Sequence, residues 1–130
     1  MKRLFAVLLA VLALSACEST ETRVRNVSET FLNAYYTSDY TTAAACCTPT
    51  YAAHLNRLAE QVAVLPAETE QKMKEALAGT SFEIVSVEVD EDAASALVRY
   101  ELSIPGVEKP VPMGLKLQLE GRTALVDGVQ

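Results

Sequence analysis

Residues 94–104 read ASALVRYELSI, and this stretch decides the fold. Apolar side chains stand at every second position, and most of the residues between them are polar. Because successive side chains of a strand point to opposite faces, the pattern predicts one strand with a buried and an exposed face. Arg99 has the opposite parity and should face solvent. The residues predicted on the buried face are Ala94, Ala96, Val98, Tyr100, Leu102 and Ile104.

Two further strands are predicted after this one. Apolar residues alternate from Met113 to Leu119, and a last strand should run from about Thr123 to Val129. Pro105-Gly106 and Glu120-Gly121 mark the turns. These connections are too short for crossover helices, so the sheet should be antiparallel.

The strand that precedes residues 94–104 changes its buried face partway along. Phe82 and Ile84 have one parity, whereas Val85, Val87 and Val89 have the other. A strict period of two allows one continuous buried face only where an extra residue is inserted. We therefore predict a bulge or bend within residues 83–86.

Helical periodicity dominates the part of the chain before the strands. Asp39 and Thr48 are predicted caps, and Pro66 should end or kink the third helix. The last helix should turn Met73, Ala76 and Leu77 inward. The predicted helices are Thr22–Thr37, Tyr40–Cys47, a long helix from Pro49 to about Leu65, and Ala67–Ala78. Helices followed by such a sheet predict an α+β domain of two layers.

The N-terminus has the three zones of an export signal. Lys2 and Arg3 precede eleven apolar residues, 4–14, a run well short of the about 20 residues that span a bilayer. Leu14-Ser15-Ala16-Cys17 resembles the lipobox of bacterial lipoproteins. The resemblance implies removal of residues 1–16, lipidation of Cys17 and tethering to a membrane. The alternative is an ordinary secretory signal cut nearby, with Cys17 incidental.

The remaining chain divides into residues 17–25, predicted as a lipidated cysteine with a flexible linker, and one domain of residues 26–130. Residues 17–130 carry 9 basic and 17 acidic side chains, a net charge of −8. This balance argues against a nucleic-acid partner. The acidic run at residues 88–92 should be a solvated hairpin tip, because a calcium loop needs more carboxylates at defined spacing. Since Glu18-Ser19 follows no strong sorting rule, the outer membrane is only favoured over the inner one.

Cys46 and Cys47 are adjacent, with Cα atoms too close for an ordinary disulfide. We expect separate thiols that fill space in or near the core. Zinc-binding cysteines are normally two to four residues apart, so a site formed with His54 is not favoured. No metal or cofactor is predicted.

The order of elements resembles the nuclear-transport-factor-2-like fold, in which a bent sheet wraps around helices to form a cone. The matching pieces are Phe31-Leu32-Asn33-Ala34-Tyr35, the break at Ser38-Asp39 followed by Ala43-Ala44, Glu120-Gly121-Arg122 and Val126-Asp127-Gly128-Val129. More narrowly, the chain resembles small envelope lipoproteins of uncharacterised function that carry this domain.

Enzymes with this fold use an Asp, His or Tyr inside the cone as acid or base. The candidates here form no recognisable pair, and we assign no catalytic residue; they are Asp39, His54, Tyr35, Tyr36, Tyr40, Tyr51, Arg99 and Tyr100. We predict that Tyr35, Tyr51 and Tyr100 border the mouth of the cone and bind an amphipathic ligand.

Three functions remain open at this stage. The first is a non-enzymatic binding or assembly module of the cell envelope, whose partner is a small amphipathic ligand or an envelope protein. The second is a cone enzyme of isomerase or hydrolase type. The third is a structural accessory of an envelope complex.

Overall fold

The computed structural model describes residues 19–130, in which the helices come first and the strands follow. This arrangement confirms the predicted α+β class. The signal segment and Cys17 lie outside the described residues. The helices are α1 (Thr20–Tyr35), α2 (Tyr40–Ala44), α3 (Pro49–Ala63) and α4 (Ala67–Leu77). The strands are β1 (Ser81–Asp90), β2 (Ser95–Ser103), β3 (Val111–Glu120) and β4 (Thr123–Val129).

The strands form one sheet in the order β1-β2-β3-β4, and each is antiparallel to its neighbour, as predicted. Val98 and Tyr100 of β2 point into the core beneath α1, which contributes Phe31 and Leu32. Arg99 lies on the exposed face, as expected from its parity. Its Nε is 3.9 Å from a carboxylate oxygen of Glu88, both side chains being largely exposed.

Helix α1 begins before the expected domain boundary at residue 26. The Ser19 hydroxyl caps it by accepting the backbone N–H of Thr22 at 3.2 Å. Val24 is completely buried, and Arg23 donates a 2.7 Å hydrogen bond to the carbonyl of Arg122. Residues 20–25 are therefore part of the packed helix: the predicted domain boundary placed them in the linker, although the helix itself was predicted from Thr22.

The predicted bulge lies in β1. Ile84 pairs with Tyr100 and Ser86 pairs with Arg99, so Val85 has no partner across the strands. The extra residue keeps one continuous face of β1 on the core despite the change of parity. Val85 itself is 59% exposed.

The connection between α2 and α3 differs from the prediction. Helix α2 stops at Ala44, and Cys47 instead forms a parallel bridge with Val126 of β4. Pro49 begins α3 as expected, but the Thr48 hydroxyl does not cap it. That hydroxyl donates to the Asp127 carboxylate at 2.9 Å, because a bulge in β4 leaves Asp127 unpaired across β3.

Helix α4 packs at the periphery, and none of its residues is fully buried. Met73 and Leu77 are half-buried, as their predicted inward position requires, whereas Ala76 is exposed. Ion pairs one turn apart line its outer surface, Lys72 with Glu68 and Lys74 with Glu70. Ala76 therefore contributes helix propensity and little packing.

The acidic run forms the tip of the β1–β2 hairpin, as predicted. A carboxylate oxygen of Asp90 accepts the backbone N–H of Ala93 at 3.1 Å, which closes the turn. Ala94 lies in this turn with φ of 50°, so β2 starts one residue later than expected. Within residues 19–130, no helix is both long and apolar enough to cross a membrane.

Candidate functional site

Six aromatic side chains form a continuous cluster between the first three helices and β2. Tyr35 is central: its ring centroid lies 5.4 Å from that of Phe31, 5.1 Å from that of Tyr36 and 5.9 Å from that of Tyr40. Tyr51 reaches the cluster through Phe31, at 6.2 Å. The aromatic cluster consists of Phe31, Tyr35, Tyr36, Tyr40, Tyr51 and Tyr100.

The three tyrosines predicted to bind a ligand all belong to this cluster. Tyr35 and Tyr51 are half-buried, so part of each ring reaches the surface. Tyr100 is only 1% exposed, and its hydroxyl lies 2.9 Å from that of Tyr36. Tyr100 therefore seals the base of the cluster, and it satisfies its polar atom inside the protein.

The tyrosine hydroxyls are held in their neutral form. Burial raises the pKa of Tyr51 to about 12, and neighbouring Tyr35 adds to the shift. Burial also raises the pKa of Tyr35, Tyr36 and Tyr100. At neutral pH these side chains offer apolar ring surface and neutral hydrogen-bonding hydroxyls.

A groove of about 510 Å³ lies next to the aromatic cluster, and the Tyr36 ring is shared by both. Its walls come from the C-terminal half of α1, the end of α4 and the start of β1. Leu32, completely buried, lies at its floor. The lining residues are Leu32, Asn33, Tyr36, Thr37, Lys74, Leu77, Ala78, Thr80, Ser81 and Phe82.

The groove combines apolar and polar chemistry. Leu77 and Phe82 supply aliphatic and aromatic surface, whereas the hydroxyl and amide side chains that line it are polar. Of the lining residues within 19–130, Lys74 alone is charged, and its Nζ lies 3.3 Å from a carboxylate oxygen of Glu70. Such a lining is typical of sites for small molecules with both kinds of surface.

The wall between α4 and β1 is fixed by a close contact. A Cβ placed on Gly79 would lie 2.6 Å from Cγ of Pro105, a distance that real Cβ atoms do not show. Gly79 therefore allows this segment to pack directly on the β2–β3 loop. The contact holds the groove-lining residues on either side, Ala78 and Thr80, in place.

Sequence reasoning selected three members of the aromatic cluster as ligand-binding residues, and it did not predict the groove. Tyr35, Tyr51 and Tyr100 do not line it. Tyr36 was considered only as an acid or base, and Lys74 was not considered. One sequence feature could have indicated this wall of the groove. Leu32 and Asn33 lie four and three residues before Tyr36, so the three side chains share one face at the end of α1.

The remaining candidates have structural roles. Asp39 accepts the backbone N–H of Thr42 at 3.2 Å as the cap of α2, and hydrogen bonds from Thr42 lower its pKa. His54 is exposed and stacks on Tyr51, with ring centroids 5.9 Å apart. Its position beside the apolar stripe of α3 matches the predicted surface location.

The two described cysteines are free thiols, as expected. The Cys47 thiol donates to the carbonyl of Ala43 at 3.1 Å, and burial raises its pKa to about 12. Burial raises the pKa of Cys46 as well. Within residues 19–130, no three His, Cys, Asp or Glu side chains are grouped so that they could hold a metal ion.

No protein-family model matches the chain, and no curated protein matches its sequence. Among solved structures, the chain is similar to an NTF2-like protein of unknown function from Cytophaga hutchinsonii, with 12% sequence identity and a TM-score of 0.43. The match covers 82% of this chain and 87% of that one. A likeness at this level carries no information about function.

Proposed function

We propose that this protein is a lipid-anchored component of a bacterial cell envelope, with the outer membrane favoured, whose domain binds a small amphipathic molecule without transforming it. The proposal that the domain binds a ligand rests on the groove between α1, α4 and β1. Its volume of about 510 Å³ is in the range of small-molecule sites, and its lining is mixed in the way an amphipathic ligand requires.

The pKa shifts support binding over catalysis. A general acid or base works best when its pKa is near the working pH. Here the pKa of Asp39 is lowered, and the pKa values of Cys47, Tyr51 and Tyr100 are raised. Each of these shifts moves the group away from pH 7.

A purely structural accessory is less well supported. An interface of that kind needs a contiguous exposed apolar patch. The large exposed apolar residues of the described chain are Val64, Val85 and Val107, at 82%, 59% and 50% exposure. Val64 follows α3, Val85 is the extra residue of the β1 bulge, and Val107 lies in the β2–β3 loop. Each is therefore on a different element.

The proposed anchor is separated from the groove by α1. Helix α1 begins three residues after Cys17, and the groove is lined by its last turn and the two residues beyond, Tyr36 and Thr37. At 1.5 Å per residue, Thr20 and Tyr36 are about 24 Å apart along the helix axis. A lipid on Cys17 would therefore hold the domain by the end opposite the groove.

The anchor is tested by replacing Cys17. We expect Cys17→Ser to abolish metabolic labelling with fatty acid and to release the product from membranes or leave it uncleaved. Cys46→Ser is the matched control, because this cysteine lies in no lipobox and should leave labelling intact. Normal labelling of the Cys17→Ser protein would refute the anchor.

The groove is tested with the full-length protein in phosphatidylcholine nanodiscs and a diazirine derivative of decanol. After irradiation, mass spectrometry should find label in peptides that cover the end of α4 and the start of β1. Leu77→Glu should reduce this labelling, because it places a charge in the apolar lining. Val64→Glu adds the same charge outside the groove and should have no effect. Equal labelling of all three proteins would overturn the binding proposal.

A further inference from the structure

We infer that the ligand of this groove is a single-chain amphiphile with a negatively charged head, and that Lys74 binds the head while the apolar side chains of Leu77 and Phe82 contact the chain. The inference rests on the proposed binding function and adds the chemical class of the ligand. It is carried by the arrangement of charge around the groove.

The charged side chain that lines the groove has the opposite sign to the net charge of the protein. The whole chain has a formal net charge of −6, yet the charged lining residue of the groove is a lysine. An anionic ligand would be repelled by most of the surface and attracted at this point. Among the described residues that line the groove there is no carboxylate, although that of Glu70 lies 3.3 Å from the Lys74 Nζ.

The position of Lys74 suits a head group. It lies on α4 one turn before Leu77, so the two side chains share a helical face. Leu77 and Phe82 supply apolar lining in the same groove. An extended ligand with its charge on Lys74 can therefore place its chain along the apolar lining.

Lys74 is free to exchange partners at little cost. Its ion pair with Glu70 is a surface pair, with 56% of the Lys74 side chain and 37% of the Glu70 side chain exposed. Such pairs contribute little to stability. A ligand carboxylate can take the place of the Glu70 carboxylate, and the ammonium also has three donors with which to hold both.

The same helix offers a matched control pair. Lys72 and Glu68 form an ion pair of 3.5 Å with the same spacing, but neither residue lines the groove. Their side chains are 74% and 82% exposed. Substitutions at Lys72 thus change the charge of α4 equally and leave the groove untouched.

The test compares diazirine derivatives of decanoate and decanol on the full-length protein in phosphatidylcholine nanodiscs, with label at the groove quantified by mass spectrometry. We expect Lys74→Gln to reduce labelling by decanoate about fivefold, the effect of one exposed ion pair, and to leave labelling by decanol unchanged. Lys72→Gln should match the unmodified protein with both probes. Glu70→Gln should increase labelling by decanoate, because it removes the competing carboxylate.

The outcomes distinguish failure of the inferred anionic head from failure of the proposed amphiphile binding. If both probes label the groove but Lys74→Gln and Lys72→Gln behave alike, the anionic head is refuted and the groove still binds amphiphiles. If neither probe labels the groove, both statements fail. A diazirine derivative of decylamine that labels the groove better than decanoate would assign a cationic ligand and overturn the inference.

Discussion

The hydroxyl pair of Tyr36 and Tyr100 should show strongly non-additive energetics. Tyr100 is 1% exposed and its hydroxyl lies 2.9 Å from that of Tyr36. Tyr36→Phe therefore leaves a buried hydroxyl without this partner, which costs about 1–3 kcal/mol of unfolding free energy. Tyr100→Phe removes the deeper hydroxyl and leaves the one on half-buried Tyr36, so the loss should be about 1 kcal/mol or less.

The double variant Tyr36→Phe/Tyr100→Phe tests whether the two single losses are non-additive. Replacing both partners by rings of the same shape removes the hydrogen bond and both desolvated hydroxyls, so its stability should return close to that of the unmodified protein. Urea unfolding at pH 7, followed by circular dichroism, gives the four free energies, and equal m-values would show that the unfolded states are comparable. From the two single losses and a double variant near zero, we expect a coupling energy of about 1–4 kcal/mol. A double variant that loses the sum of the two single losses would refute the reasoning.

Three further predictions concern stability. Because the pKa of Tyr51 is raised to about 12 in the folded state, its contribution is complete below its ordinary pKa of about 10 and is lost as the pH rises towards 12. Tyr51→Phe should flatten the alkaline fall in melting temperature, and an unchanged fall would contradict this. Ser38→Gly should raise the free energy of unfolding by about 1 kcal/mol, because Ser38 has φ of 63° and its buried hydroxyl has no hydrogen-bond partner in the described part of the chain. A lower free energy of unfolding for Ser38→Gly, measured in urea, would show that the Ser38 hydroxyl stabilises the fold. Val24→Ala should lower that free energy by about 2 kcal/mol, since Val24 is completely buried, whereas the exposed control Glu29→Ala should change it little. Equal effects would mean that the first turns of α1 are not packed.

Sequence reasoning succeeded where the physics is local. The strict period of two located β2 and placed Arg99 outside, and the same rule located the bulge at Val85. It placed Val85 with its neighbours on the core, because the pattern shows that a residue is extra without showing which one. The start of α1 was predicted at Thr22, two residues late, because Val24 is the first apolar residue of its period. The domain boundary at residue 26 nevertheless assigned these turns to the linker.

The features that sequence reasoning did not predict correctly depend on contacts between residues far apart in the chain. Thr48 has the right chemistry for a cap, but its hydroxyl binds Asp127, 79 residues away, through a bulge that no local pattern reveals. The Phe31–Tyr35 contact follows from local spacing, because these residues lie one turn apart on α1. The contacts of Tyr51 and Tyr100 join separate elements. The groove could not be predicted from local spacing, because it depends on where α4 lies relative to α1.

The two edges of the sheet bear on how copies of this protein coexist on a surface. The middle of the β4 edge is occupied, since the Val126 N–H donates to the carbonyl of Cys46 and the Val126 carbonyl accepts the N–H of Thr48. The β1 edge is interrupted by the extra residue Val85. Exposed, regular edges are the templates on which strands of separate molecules pair. Tethering to a membrane would confine many copies to two dimensions, and with both edges blunted they could crowd there without joining edge to edge into a continuous sheet.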